Sequence, residues 1–214
     1  MKQKKIKSIL ESSAIDKKCS VQGWVRTFRA NRFLALNDGS TIENLQCVLD
    51  FEKLDDSLLK QINTGAAIKL SGKLSESQGS GQKVELQVSN LTILGSSDPE
   101  LYPIQPKRHS LEFLREKAHL RVRTATFSAV MRIRSALSFA VHQFFQQEGF
   151  FYINTPIITG NDAEGAGEMF RVSTLDLKNP PKDEIGNPDF KEDFFGKETN
   201  LTVSGQLEAE AYAL

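Results

Sequence analysis

Hydrophobic and polar residues alternate through five short runs in the first part of the chain, over 19–28, 32–37, 44–50, 66–74 and 82–89. A period of two is the mark of strands with one face buried. Asn37-Asp38-Gly39 and Gly79-Ser80-Gly81 supply turn chemistry between runs. A helical piece over 52–62 separates the third run from the fourth. A short amphipathic helix over 6–14, with Ile6, Ile9 and Leu10 on one side, precedes them all. Five strands with one helix between the third and fourth is the order of an OB-fold barrel.

Beyond the barrel the pattern changes. The segment 95–110, GSSDPELYPIQPKRHS, carries three prolines and little periodicity, so it reads as a linker. Thr124 or Thr126 can then cap a long helix reaching about Gly149. Its apolar positions, among them Phe127, Val130, Ile133, Leu137, Val141 and Phe144, cover more of the circumference than one narrow stripe. Such a helix is covered on two sides, or lies wholly inside one domain core. A short strand with Pro156 follows, then an acidic, glycine-rich loop with Asp162, Glu164 and Glu168. Residues 175–200 are rich in proline and acid and read as a surface insertion; Leu201 to Val203 form a strand, and a helix begins in SGQLEAEAYAL. The expected class is α+β: an OB-fold domain over 1–97, a linker over 98–123, and the start of an α/β domain over 124–214. Its antiparallel sheet would need further strands to close, and exposed edges there predict poor solubility or disorder.

Composition narrows the chemistry only a little. The 214 residues carry 27 basic and 27 acidic side chains, so no global field marks a polyanionic partner and any basic surface is local. Cys19 and Cys47 each sit in an alternating apolar run, as buried free thiols in a reducing compartment. MKQKKIKSILESS lacks the apolar run of a signal peptide, and no stretch approaches a membrane span; the expected location is the cytoplasm. His109, His119 and His142 have no metal-ligand spacing, and no metal site is expected among these residues.

Alternation also says which side chains leave the barrel. With Val21, Gly23 and Val25 inward, Trp24, Arg26 and Phe28 face out. By the same rule Phe33, Gln46, Glu85 and Gln87 face out. An aromatic, a guanidinium and hydrogen-bonding groups on one surface suit unstacked bases. The competing reading covers Phe33 and Trp24 with the N-terminal helix or the second domain, and leaves Lys4, Lys5 and Lys7 merely solvating the tail.

Four segments in order carry a more specific signal: GWVRTFRANRFLALNDGSTIENLQCVLD, HLRVRT, GFFYINTPIITGNDAEGAGEMF and LTVSGQLEAEAYAL. Together they resemble the bacterial asparaginyl-tRNA synthetases, class II enzymes of the aspartate-type subgroup, over essentially the whole chain. The resemblance implies an anticodon-binding barrel. In it Phe33 stacks the central anticodon base, a uridine, and Gln46 hydrogen-bonds that base. Glu85 meets the first anticodon base, while Arg26 and Arg29 suit the phosphates. It implies that the helix 126–149 with Pro156 is motif 1, which forms a homodimer. Glu164 corresponds to the glutamate of the flipping loop, which contacts the amino acid's α-ammonium. Ser204 and Gln206 correspond to residues lining the amino-acid pocket.

Substrate choice rests on a departure. Aspartate enzymes carry a lysine three positions after this glutamine; here the position is Ala209, flanked by Glu208 and Glu210. A neutral amide needs no cation, and removing the lysine disfavours a charged competitor. The implied partners are therefore tRNA(Asn), L-asparagine and ATP, with Mg2+ neutralising the phosphates, and an asparaginyl-adenylate as intermediate. Motifs 2 and 3, which hold ATP in the family, lie downstream of the segments matched here. The 214 residues alone are expected not to form adenylate, and no catalytic residue is assigned among them. An aspartate-type or relaxed-specificity synthetase, or a non-catalytic RNA-binding module with a dimerisation domain, remain the alternatives at this point.

Overall fold

The structure is a computed structural model. It describes residues 3–12, 15–50, 54–79, 81–163, 165 and 169–213. The chain divides into two compact units, Met1–Ser138 and Phe139–Leu214, described here one at a time.

The first unit is built on a closed barrel. Its strands are β1 (Lys18–Arg29), β2 (Phe33–Asn37), β3 (Leu45–Val48), β4 (Ala67–Glu76) and β5 (Val84–Gly95), hydrogen-bonded in the order β1-β2-β3-β5-β4 and closing back onto β1. Every pairing is antiparallel except β3 with β5. The expected strands are present, and β5 runs past its alternating stretch to Gly95. Val21, Val25, Leu34, Leu36, Leu45, Leu70, Leu74 and Leu86 fill the interior at 1% exposure or less. Cys19 and Cys47 lie among them as free thiols, and burial pushes the Cys47 thiol far above its ordinary value. Three β-bulges let the strands coil tightly. One lies between Val25 and Thr27 on β1, and two lie where β4 meets β5, between Ala67 and Ile68 and between Ser71 and Gly72. Gly72 is needed there, because a Cβ would run into the Gln87 carbonyl.

Helix α1 (Ile6–Leu10) is shorter than the expected 6–14 and buries Ile6 and Ile9 in the barrel core. Its own N-cap residue, Lys5, offers no oxygen. Asp38 and Ser40, from the turn after β2, accept from the N–H groups of Ile6 and Lys7 at 3.0 Å each. The helical piece between β3 and β4 is reduced to α2 (Asp56–Leu59). After the barrel come α3 (Leu111–Glu116), capped by Ser110, and α4 (Ala125–Gln147), whose first turn is capped by Thr124 Oγ1 accepting from Phe127 N–H at 3.3 Å. No residue of α4 is buried. Val130, Ile133, Leu137, Phe139, Val141 and Phe144 are all exposed. Among the described residues no helix is long and apolar enough to cross a membrane.

The second unit holds a small antiparallel sheet ordered β6-β8-β7, from β6 (Ile158–Thr159), β7 (Arg171–Val172) and β8 (Thr199–Leu201). Helix α5 (Gln206–Tyr212) follows β8. The insertion before β8 is organised around Asp193, which accepts from the Thr174 N–H and hydroxyl and from the Phe194 N–H. The Ser173 hydroxyl and these donors hold its carboxyl far below the usual carboxylate range.

Candidate nucleic-acid interface and amino-acid site

Register decides which barrel residues meet on the outside. Phe33 pairs across β1 with Arg29 and across β3 with Val48, while Ala35 pairs with Gln46. Phe33 and Gln46 are thus diagonal neighbours on one outer face, within reach of long side chains. The parallel register Cys47 to Leu86 and Val48 to Gln87 continues that face onto β5, where Glu85 and Gln87 lie.

The hairpin between β1 and β2 presents the aromatic. Arg32 N–H donates to Arg29 O at 3.1 Å, and both central residues, Ala30 and Asn31, have positive φ (51° and 48°). That is the backbone of a type I′ turn, whose twist matches the flanking strands. Phe33 follows directly, 41% exposed, with the Arg32 guanidinium 5.6 Å from its ring centroid. Sequence reasoning passed over Arg32; the available signal was a second arginine closing the turn beside an outward aromatic.

Glu85 is buried although it belongs to the outer face, because polar neighbours cover it. Gln87 Nε2 donates to Oε1 at 2.8 Å, while Gln46 Nε2 and the Ser77 hydroxyl donate to Oε2 at 3.4 and 3.3 Å. The Gln46 backbone N–H is held by Gln82 Oε1 at 3.1 Å. The face therefore presents one stacking surface and one amide with both donor and acceptor, with the Glu85 carboxylate held beneath Gln46, Ser77 and Gln87.

Two alternation expectations are corrected. Phe28 packs against the core instead of facing out, opposite Leu34. Arg26 is the extra residue of the bulge, and its guanidinium donates to the Arg123 carbonyl. Both have one cause: the bulge adds a residue on β1, so strict alternation fails beyond Val25. Arg29 stays beside Phe33; Arg26 does not join them.

The second group of residues is more dispersed. Glu164 lies outside the described residues, as does Glu168. Beside it, Asp162 Oδ1 accepts from the Gly165 N–H at 3.0 Å, with Gly165 at a φ of +64°. Ser204 Oγ accepts from the Gln206 N–H at 3.4 Å where α5 begins, and exposed Gln206 donates its Nε2 to Glu210 Oε1 at 2.8 Å. Gly205, ahead of α5, has no room for a Cβ beside Thr155. Pro156 is exposed in the extended segment before β6. Among the described residues no group of three or more His, Cys, Asp or Glu could hold a metal ion, so none is assigned to Mg2+.

Residues 19–94 match the family of OB-fold nucleic acid binding domains, and residues 110–207 match the class II tRNA synthetases of the D, K and N group. The chain is 58% identical to an asparagine–tRNA ligase of Cytophaga hutchinsonii, across 100% of this chain and 47% of that protein. It is 54% identical to that of Parabacteroides distasonis, across 100% of this chain and 46% of the relative. The fold resembles the asparaginyl-tRNA synthetase of Pyrococcus horikoshii complexed with asparaginyl-adenylate, with a TM-score of 0.76 at 20% identity, over 99% of this chain and 45% of that one. The chain spans about half the length of the curated relatives it matches. With an OB barrel, a class II segment and this identity along its whole length, the chain is similar throughout to the asparagine–tRNA ligases among the class II tRNA synthetases.

Proposed function

We propose that the chain serves the ATP-dependent attachment of L-asparagine to tRNA(Asn), with its barrel reading the anticodon. One observation supports this most directly. Phe33, Gln46 and Glu85 share a single outer face of a closed barrel, with Arg29 and Arg32 beside the aromatic. A base stacked on Phe33 would bring its edge towards Gln46, whose amide pairs a donor and an acceptor with uracil. Glu85, which can only accept, suits a base edge that offers donors. Arg29 and Arg32 would meet the backbone phosphates.

In the second unit, the loop bearing Glu164 would receive the substrate's α-ammonium, a cation that needs an opposite charge once it leaves water. Ser204 and Gln206 would line the side-chain pocket. Ala209, between Glu208 and Glu210, offers no cation to an aspartate carboxylate, which favours the amide. The adenylate in the Pyrococcus horikoshii complex fits use of ATP, with Mg2+ as its usual companion. The exposed apolar residues of α4, with Pro156, are suited to pairing two copies of the chain in an isologous dimer.

The base-reading assignment is tested by measuring binding of the anticodon stem-loop of tRNA(Asn) against the same stem-loop with its central uridine changed to cytidine. The uridine form is expected to bind more tightly, by about 1–3 kcal/mol, the scale of losing a well-placed base-edge contact. Equal affinity for the two would remove Gln46 from base reading.

A further inference from the structure

A cleft of about 600 Å3 lies within the first unit, walled by the middle of β1, the turn after β2, the linker and the first turn of α4. Arg26, Lys107, Arg108 and Arg123 line it with His109, and no aspartate or glutamate does. Among the described residues none of the four cations forms an ion pair. In a chain of zero net charge, four unpaired cations around one concavity raise the local potential for an anion.

The walls are built rather than loose. The β1 bulge that takes Arg26 off the base-reading face delivers it here, where it donates to the Arg123 carbonyl. The Arg123 guanidinium in turn lies 5.4 Å over the Trp24 ring. The linker is folded on itself: Gln105 Nε2 donates to Tyr102 O at 2.8 Å, and His109 Nε2 bonds Gln105 O at 3.1 Å. Gly65, at a φ of +91°, leaves room for the Tyr102 ring, which a Cβ would meet at 2.9 Å. Fixed walls lower the entropy lost when a ligand binds.

We propose that this cleft binds a phosphorylated small molecule of mononucleotide size. Its phosphate would lie among Arg26, Lys107 and Arg108, and its planar group against Trp24, Ile42 and Tyr102. The volume falls in the range of small-ligand sites and far exceeds a lone phosphate. Phe33, Gln46 and Glu85 do not line the cleft, so the site stands apart from the base-reading assignment.

The test is calorimetric titration of the 214-residue chain with GMP, guanosine and inorganic pyrophosphate, with the anticodon stem-loop as competitor. GMP is expected to bind one to one, guanosine at least about tenfold more weakly, and added salt to weaken GMP. Lys107→Ala with Arg108→Ala, both exposed, should lower GMP affinity at least about tenfold with circular dichroism unchanged. Ile42→Trp should fill the cleft and abolish binding without removing a charge, and Phe33→Ala should leave GMP binding as it was. No GMP heat up to about 1 mM, the weak end of specific binding, would overturn the proposal. So would equal affinity for GMP and guanosine, the same GMP affinity in the double variant, or occupation of the cleft by the stem-loop alone.

Discussion

The barrel and the region after it treat their apolar residues in opposite ways. All the buried hydrophobic side chains described lie between Ile6 and Leu114, most of them in one cluster inside the barrel. From Phe139 onward no described hydrophobic residue is buried, and many large ones are exposed: Phe139 at 69%, Phe151 at 90%, Phe170 at 81% and Leu177 at 89%. The barrel closes its sheet and buries its own core, whereas the later sheet has three strands of two or three residues each. The barrel covers its own apolar residues, and the later region leaves many of its own in contact with water, which is why a dimer is proposed there and not at the barrel.

The strongest way to break that contrast is in the barrel core. Leu70 is fully buried, between Val21 on β1 and Leu91 on β5. Leu70→Ala should destabilise the barrel by about 2–5 kcal/mol, the sum of lost transfer energy and a residual cavity. Urea unfolding followed by Trp24, the sole tryptophan, measures it. A loss well under 1 kcal/mol would mean the barrel does not depend on this core.

On the other side of the comparison, Phe139→Ala should leave barrel unfolding unchanged but weaken self-association. An anchoring aromatic at the centre of an interface is worth at least about 2 kcal/mol. Sedimentation across a concentration series checks this; a wild-type chain that stays monomeric throughout would remove the dimer from the proposal.

The sequence made the two halves unequally legible for the same reason. Period-two alternation is strict where one face is buried, so the five strands, their order and the outward placement of Phe33, Gln46 and Glu85 could be read from residues alone. The exceptions were tertiary. Nothing in VRTF announces that Arg26 is an extra residue, because a bulge is defined by its partner strand; Phe28 and Arg26 were misplaced together. Glu85 was expected to face out and does lie on the outer face, yet Gln87, Gln46 and Ser77 cover it there, which alternation could not tell. Beyond the linker, the wide apolar surface of α4 signalled cover without saying by what. The acidic loop and Gln206 acquired meaning only through resemblance, since an exposed glutamine paired with Glu210 has no chemistry of its own.

A smaller effect separates recognition from folding within the barrel itself. Phe33→Ala should weaken stem-loop binding by about 1–3 kcal/mol, the cost of a lost base–aromatic stack. Because its ring lies outside the core, unfolding should shift by no more than about 0.5 kcal/mol. An unchanged dissociation constant would take Phe33 out of the interface. A large loss of stability instead would make it a packing residue.

The smallest expected effect concerns how α1 is fastened to the barrel. Burial pushes the Asp38 carboxyl up, but the Ser40 hydroxyl, the N–H groups of Ile6 and Ser40 and the charge of Lys5 outweigh it, and its pKa lies below the ordinary value. A carboxyl depressed on folding adds stability that is present above its unfolded pKa of about 3.9 and disappears as pH falls through the folded value. Protonation costs Ile6 N–H its charged acceptor, and with it part of the hold on Ile6 and Ile9 in the core. Between pH 6 and pH 3 the wild-type barrel should therefore lose more stability than Asp38→Asn, whose amide oxygen still accepts but does not titrate. The side chain is partly exposed, so the difference should be well under the roughly 1–2 kcal/mol of a good cap. Thermal unfolding of both proteins at the two pH values measures it, and identical acid sensitivity would show that α1 is held by its two isoleucines alone.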